Sequence, residues 1–154
     1  MLRLVKVSRD NWQECIKLPT SEDHAHFVAP NVYSIAEAQF YPGVVSACIY
    51  ADDEIVGYTM YGREEEDESL FWIDRLMIAE GQRGKGYGRA ALLMIIDEAK
   101  SQGFLRVGLS TAPENLKAIQ LYENVGFKAT GEIVDDEAVF VCDFSQISSV
   151  TPFG

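Results

Sequence analysis

A glycine-rich turn with several basic residues is the part of the sequence best suited to bind a charged ligand. It covers residues 82–89 and reads Gln-Arg-Gly-Lys-Gly-Tyr-Gly-Arg. Alternating glycines let the backbone curl closely around a ligand, and the helix start that follows offers unpaired amides and the positive end of the helix dipole. Arg83, Lys85 and Arg89 add positive charge to an otherwise acidic chain. The pattern predicts a site for an anion, usually a phosphate.

Three other interpretations of this turn can be weighed against the sequence. A nucleoside-triphosphate P-loop requires Ser or Thr after its Gly-Lys pair, whereas the pair here is followed by Gly86, which excludes that motif. A dinucleotide fingerprint can be placed on Gly86, Gly88 and Ala91, but it needs an acidic residue about 20 positions further on, where Ser110 and Thr111 stand. A turn without a ligand leaves the basic cluster unexplained. The last two interpretations stay open as weaker alternatives.

The elements around the turn predict one mixed α/β domain over residues 1–144 and a tail at 145–154. Alternating or branched apolar runs predict strands at 2–7, 44–50, 54–61, 70–78, 106–110, 128–133 and 138–144. Helical spacing of apolar residues predicts helices at 88–101 and 116–125, each followed by a glycine. The sequence Ser-Ile-Ala-Glu at 34–37 has the form of a capping box and predicts a short helix that starts there. The acidic run at 64–68 predicts a loop.

Two separate motifs resemble those of the GNAT superfamily of N-acetyltransferases. Residues 83–88 fit its R/Q-x-x-G-x-G/A pyrophosphate loop, and residues 115–127 fit its N-x-x-A-x-x-L-Y-x-x-x-G-F segment. Shorter strings, Trp-Ile-Asp-Arg-Leu at 72–76 and Met-Tyr-Gly at 60–62, resemble bacterial spermine/spermidine acetyltransferases. The resemblance implies the GNAT acyltransferase fold, in which a mostly antiparallel twisted sheet of about seven strands is flanked by about four helices.

The resemblance also implies acetyl coenzyme A as cosubstrate, and no metal. The backbone of Leu76, Met77 and Ile78 would pair with the pantetheine arm on a strand splayed from its neighbour, and the Met77 amide would stabilise the oxyanion. Asn115 matches a cofactor-contacting asparagine, although helix capping alone would explain it. The residues expected to hold the diphosphate are Arg83, Gly84, Lys85, Gly86, Tyr87, Gly88 and Arg89.

Acetyl transfer to an amine needs a group that accepts a proton, because a primary alkylamine with a pKa of ~10.4 is mostly charged at pH 7. Asp74 interrupts an apolar strand two positions before Leu76 and is the candidate general base. A structural ion pair with Arg75 or Arg63 is the alternative. The resemblance implies that Tyr122 protonates the departing thiolate.

The charge balance bears on the kind of partner that the protein binds. The chain has 24 acidic and 13 basic residues, for a net charge of −11, which argues against nucleic acid and favours a cationic substrate. Solubility alone is the alternative explanation. A polyamine would need several carboxylates, because one surface ion pair is worth only ~0–1 kcal/mol. The predicted substrate-binding residues are Glu22, Glu37 and Asp74, with Asp23 and the acidic run also available.

The combined expectation is an N-acetyltransferase that acts by direct transfer in a ternary complex, with spermidine or spermine as the preferred substrate. Another amine (an amino acid, an aminoglycoside or a protein N-terminus) and a non-catalytic coenzyme A-binding module are the alternatives. No apolar stretch reaches the ~20 residues of a membrane span, so a cytoplasmic protein is expected. Three widely spaced cysteines suit a reducing compartment as buried apolar residues. The family resemblance adds a possible homodimer.

Overall fold

The computed structural model describes residues 1–20 and 30–144. Seven strands and four helices occur in this part of the chain. In order they are β1 (Leu2–Lys6), α1 (Trp12–Ile16), α2 (Asn31–Ala38), β2 (Val44–Ala51), β3 (Glu54–Glu64), β4 (Asp67–Ile78), α3 (Tyr87–Ser101), β5 (Arg106–Thr111), α4 (Leu116–Val125), β6 (Lys128–Val134) and β7 (Glu137–Asp143). None of these helices is both long enough and apolar enough to cross a membrane.

The strands form one seven-stranded sheet in the order β1-β2-β3-β4-β5-β7-β6. Strand β2 pairs antiparallel with β1 and with β3, and β7 pairs antiparallel with β5 and with β6. The hairpin between β2 and β3 turns at Asp52, whose φ of 53° lies in the left-handed region that aspartate tolerates in turns. The predicted mixed α/β class with a mostly antiparallel sheet flanked by helices is confirmed.

One compact unit contains Met1–Gly62 and Ile73–Met94. Two clusters of buried side chains fill it, and Cys48 and Ile49 belong to different clusters because successive residues of a strand face opposite ways. Ala91 of α3 packs with Ile49 and Val56, and Met77 of β4 belongs to the cluster of Cys48. Buried side chains therefore anchor both the end of β4 and the start of α3, the two segments on either side of the glycine turn.

The second compact unit contains Arg63–Trp72 and the described residues from Ile95 onward. The rings of Phe71 and Phe104 meet edge to face with centroids 4.9 Å apart. The Trp72 ring lies so close over β5 that a Cβ added to Gly108 would come within 2.8 Å of it. Tyr122 of α4 packs against Phe127, which follows the helix, and against Phe140 of β7.

The predicted elements agree with the structure most closely where a glycine ends a helix or a turn joins two strands. Helix α4 has the predicted bounds, and its C-cap Gly126 has a φ of 120°. Cys15 and Cys48 are fully buried as expected, whereas Cys142 is only partly buried. The single-domain organisation stays a prediction. The tail at 145–154 and most of the loop predicted before α2 lie outside the described residues.

The acidic run at 64–68 is not the loop that its charge predicts. Strand β3 extends to Glu64 and β4 begins at Asp67, so that only residues 65 and 66 separate the two strands. The Asp67 carboxylate accepts hydrogen bonds from the Ser69 amide and hydroxyl and from Arg106, and these bonds lower its pKa. The charge of Asp67, the first residue of β4, is thus paired locally.

Helix α2 begins three residues before the predicted capping box. Pro30 is the N-cap, and the Ser34 amide donates to the Pro30 carbonyl at 3.1 Å, so Ser34 lies inside the helix. The first helical residue, Asn31, is buried and donates from Nδ2 to the Cys15 carbonyl at 3.0 Å. A side-chain anchor to α1 thus fixes the start of α2, and the serine is available for a contact with β4.

Candidate active site

The glycine turn exposes backbone that a ligand can approach. Gly84 and Gly86 have φ values of 80° and 83°, in the left-handed region that glycine adopts without strain. A Cβ built on either glycine meets no other atom within 4 Å. Gly88, in contrast, is already part of α3. Two of the three alternating glycines therefore shape the turn, and the third lets the first helical turn be approached closely.

The start of α3 presents a row of backbone donors beside this turn. The Ala90 amide donates to the Gly86 carbonyl at 3.1 Å, which makes Gly86 the residue that precedes the helix. The amides of residues 86–89 have no acceptor within the helix, because each would need a carbonyl four residues earlier in helical geometry. Donors at the positive end of a 15-residue helix favour an anion.

The side chains of the turn bind it to neighbouring backbone. Arg83 donates from Nε to the Ile78 carbonyl at 3.1 Å, which ties the turn to the end of β4. Lys85 is exposed and its Nζ lies 3.1 Å from Gln82 Oε1. Arg89 is exposed on the first turn of α3. The predicted diphosphate residues therefore lie together on the turn and the helix start, with Lys85 and Arg89 exposed at its rim and Arg83 partly buried.

The backbone of β4 has a defined orientation next to β3. The Arg75 carbonyl accepts a hydrogen bond from Thr59 Oγ1 of β3 at 2.7 Å. The Met77 carbonyl is also turned toward β3, since a Cβ on Gly57 would overlap its oxygen. In a planar trans peptide the N–H of the next residue points opposite to the carbonyl. The amides of Leu76 and Ile78 therefore point away from β3.

The Met77 amide points the other way. The neighbouring Ala79 amide donates to the Val56 carbonyl of β3 at 2.8 Å, and alternate residues of a strand direct their amides to the same side. The Met77 amide thus faces β3, contrary to the expectation that it faces the thioester oxygen. Leu76 and Ile78 are the residues of this trio whose amides are directed away from β3, while the Met77 side chain is buried in the core.

Arg75 joins β4 to α2. Its guanidinium donates from Nε to Ser34 Oγ at 3.1 Å and from Nη2 to Glu37 Oε1 at 3.3 Å. Nη1 donates to the Asp74 carbonyl at 2.8 Å. Residues three apart lie on one face of a helix, so the Ser-x-x-Glu spacing that suggested a capping box instead provides two acceptors for one arginine.

The predicted substrate-binding carboxylates differ in how they contact Arg75. Glu37 is about one-third exposed and shares one oxygen with Arg75, which makes it a weaker candidate for binding an amine. Asp74 is partly buried on β4, directly before Arg75, and receives that guanidinium on its backbone carbonyl. Glu22 and Asp23 lie outside the described residues.

Tyr122 lies on α4 in the second unit with 9% of its surface exposed. Its ring packs against Phe127 and Phe140, with centroids 6.0 and 6.4 Å away. Burial, with a contribution from the charge of Glu137, raises its pKa to about 12. The phenol therefore remains protonated at neutral pH, which is the state that a proton or hydrogen-bond donor requires.

Asn115 caps α4. Its Oδ1 accepts from the Ala118 amide at 3.4 Å, and its Nδ2 lies 3.4 Å from Thr111 Oγ1. The capping explanation of this residue is therefore confirmed. A cofactor contact for Asn115 stays a prediction, and it would have to coexist with the cap.

Comparison with known proteins decides the family. Residues 8–127 match the model of the acetyltransferase (GNAT) family, which is most of the chain. The chain belongs to this family. Its GNAT fold and its class as an N-acetyltransferase agree with the interpretation of the two sequence motifs, and GNAT acetyltransferases use acetyl coenzyme A.

Individual relatives extend this result. This GNAT acetyltransferase is 27% identical over 138 residues to the spermine/spermidine N(1)-acetyltransferase of Bacillus subtilis. The alignment covers 86% of this chain and 91% of the relative. The PaiA N-acetyltransferase of Thermoplasma acidophilum in complex with coenzyme A has a TM-score of 0.70 at 15% identity, covering 93% of this chain and 99% of that one. The aminoglycoside acetyltransferase AAC(6')-Ib in complex with coenzyme A has a TM-score of 0.78 at 18% identity, covering 98% and 99%.

Proposed function

We propose that this enzyme acetylates a primary amine of a polyamine such as spermidine or spermine. The observation that carries the proposal is the similarity, over 86% of the chain, to a relative named for those two substrates. The net charge of −11 supports it, because a negative field raises the encounter rate with a polycation. An aminoglycoside is also a cationic amine, so the charge alone does not separate these substrates.

The turn at 83–89 is proposed to hold the diphosphate of acetyl coenzyme A, which when bound supplies the activated acetyl thioester. Gly84 and Gly86 leave room where any other residue would place a Cβ. The amides at the start of α3 then donate to the phosphate oxygens. Lys85 and Arg89 add long-range attraction from the exposed rim, and Tyr87 and Gly88 contribute their backbone amides.

The C-terminal end of β4 is proposed to bind the arm of the cofactor. A diphosphate held at the turn would bring the arm to Ile78 first, because the Ile78 carbonyl adjoins Arg83, and Leu76 would then lie toward the acetyl group. We assign the Leu76 amide to the thioester oxygen and the Ile78 amide to the arm, since both point away from β3. A backbone donor aimed at the developing oxyanion lowers the barrier to attack.

Proton transfer is proposed to involve Asp74 and Tyr122. Asp74, two residues before Leu76, accepts the proton that the attacking amine must lose, directly or through a water. Tyr122 donates a hydrogen bond to the departing thiolate. Its pKa of about 12 exceeds that of a thiol near 8.5, so stabilisation by hydrogen bonding is favoured over complete transfer of the phenolic proton.

Binding of the remaining amines is proposed for Glu22 and Asp74, with Glu37 in part committed to Arg75. Asn115 is proposed to contact the cofactor in addition to capping α4. A cytoplasmic location and a homodimer complete the proposal, and both rest on family resemblance and composition.

The test is acetylation of a panel of amines, followed by release of free thiol and by mass spectrometry of the product. Spermidine, spermine, an aminoglycoside, an amino acid and a peptide N-terminus form the panel. We expect the highest kcat/KM for the polyamines, and a fall with rising salt that is absent for the amino acid. A higher kcat/KM for any other amine would replace the polyamine assignment, and cofactor binding without turnover of any amine would overturn the catalytic proposal.

A further inference from the structure

Thr59 of β3 is fully buried, with 0% of its surface exposed. Valine has nearly the same shape and would fill the same space, whereas a buried hydroxyl is costly unless it forms a hydrogen bond. The Thr59 hydroxyl donates to the Arg75 carbonyl at 2.7 Å. This hydrogen bond links the buried hydroxyl to one peptide group of β4, the group that contains the Arg75 carbonyl.

That peptide group connects Arg75 to Leu76, so its N–H is the Leu76 amide. A hydrogen bond to a carbonyl withdraws electron density from the peptide and makes its N–H a stronger donor, by about 10–30% per bond. The same bond fixes the rotation of the peptide plane and hence the direction of the N–H. Both effects act on the atom that would face the thioester oxygen.

We propose that Thr59 is a positioning residue for acetyl transfer: through the Arg75 carbonyl, its hydroxyl orients and polarises the Leu76 amide as an oxyanion donor. The inference rests on the proposed function and on the direction of the Leu76 amide. It requires no contact between Thr59 and either substrate, since Thr59 lies on the β3 side of β4.

The experiment compares Thr59→Val, which removes the hydroxyl and keeps the shape, with Thr59→Ser, which keeps the hydroxyl. Loss of a whole oxyanion donor costs about 10²–10³ in kcat, and 10–30% of that effect gives a fall of roughly two- to eightfold for Thr59→Val. We expect the Kd for coenzyme A to stay unchanged, because coenzyme A lacks the thioester oxygen. Thr59→Ser is expected to restore most of kcat.

Tyr58→Phe is the matched control, since it removes a buried hydroxyl from the adjacent residue whose partner is Ser46 at 2.6 Å. It is expected to leave kcat unchanged. The Leu76 amide proton resonance should move upfield in Thr59→Val and not in Tyr58→Phe, which reports on the peptide independently of turnover. Wild-type kcat in Thr59→Val, or equal losses in the Val and Ser variants, would overturn the inference. An inactive wild-type enzyme would refute the proposed function instead.

Discussion

Gly57 allows β3 to pack against the part of β4 that carries the proposed cofactor contacts. A Cβ at this position would overlap the Met77 carbonyl oxygen and would lie 3.0 and 3.2 Å from the Cδ1 atoms of Ile78 and Ile49. A methyl group cannot be accommodated by a rotamer change, because the nearest atom belongs to the backbone. In Gly57→Ala the two strands must move apart, and the peptide between Met77 and Ile78 must move with them.

The size of this effect follows from ordinary contact distances. Non-bonded carbon and oxygen atoms prefer about 3.5 Å or more, so the strands must separate by about 1 Å. Overpacking of this kind costs about 1–3 kcal/mol, which for a domain of this length lowers Tm by roughly 2–12 °C. A displacement of ~1 Å at a catalytic group costs about 10²-fold in rate. We therefore expect a moderate loss of stability and a large loss of kcat.

Gly108→Ala is the matched control for Gly57→Ala. Its Cβ would approach the Trp72 ring atoms Cζ3 and Cε3 to 2.8 and 2.9 Å, so it also overpacks the core, but against a side chain, and no proposed cofactor contact lies on that peptide. Differential scanning calorimetry and initial rates well below Tm measure the two effects. Both variants should lose stability, and only Gly57→Ala should lose about 10²-fold in kcat. Equal activity of the two variants would refute the assignment of this β4 segment to the cofactor.

Three further predictions concern single residues. Tyr122→Phe should lower kcat by about 10²-fold with unchanged coenzyme A binding in calorimetry, and an unchanged kcat would remove Tyr122 from the mechanism. Gly86→Ala should raise the KM for acetyl coenzyme A about tenfold, whereas Gly103→Ala, with an equally left-handed φ of 90° and open space, should cost a similar ~1–2 kcal/mol of stability and leave KM unchanged. Because burial raises the pKa of both Tyr58 and Tyr122 to about 12 from about 10, only the unfolded chain releases these protons between pH 10 and 12. The free energy of unfolding should then be unaffected below pH 10 and fall above it by up to about 1.4 kcal/mol per pH unit for each phenol. Urea titrations at pH 9 and 11 would show a smaller fall in Tyr58→Phe, and an unchanged fall would contradict the assignment.

The glycine turn shows how far local chemistry can be predicted from sequence. Left-handed φ values at Gly84 and Gly86 and a helix start directly after them follow from the spacing of the glycines and the apolar periodicity of α3. Those are properties of neighbouring residues, so no distant contact is needed to predict them. Helix α4 and its glycine C-cap were predictable for the same reason.

The contacts of Arg75 show where such reasoning fails. Ser34 and Glu37 fit a capping box as well as they fit a pair of arginine acceptors, since both functions use the same three-residue spacing. The choice depends on Arg75, about 40 positions later in the chain, and on the anchoring of Asn31 to α1. Nothing in the local sequence contains that information, and the start of α2 was misplaced for this reason.

The direction of a backbone amide is harder still to read from sequence, and the chemistry proposed at β4 depends on it. Leu76, Met77 and Ile78 are equivalent as apolar strand residues, yet only alternate amides can point to a bound thioester. Which alternate pair does so is set by the register with β3, and two residues of β3 mark that register in the sequence. Gly57 is the position where a side chain would strike the Met77 carbonyl, and Thr59 is a buried hydroxyl that needs an acceptor. In this chain the Met77 carbonyl packs against Gly57 and the Arg75 carbonyl accepts from Thr59, which leaves the intervening amides of Leu76 and Ile78 directed to the other side.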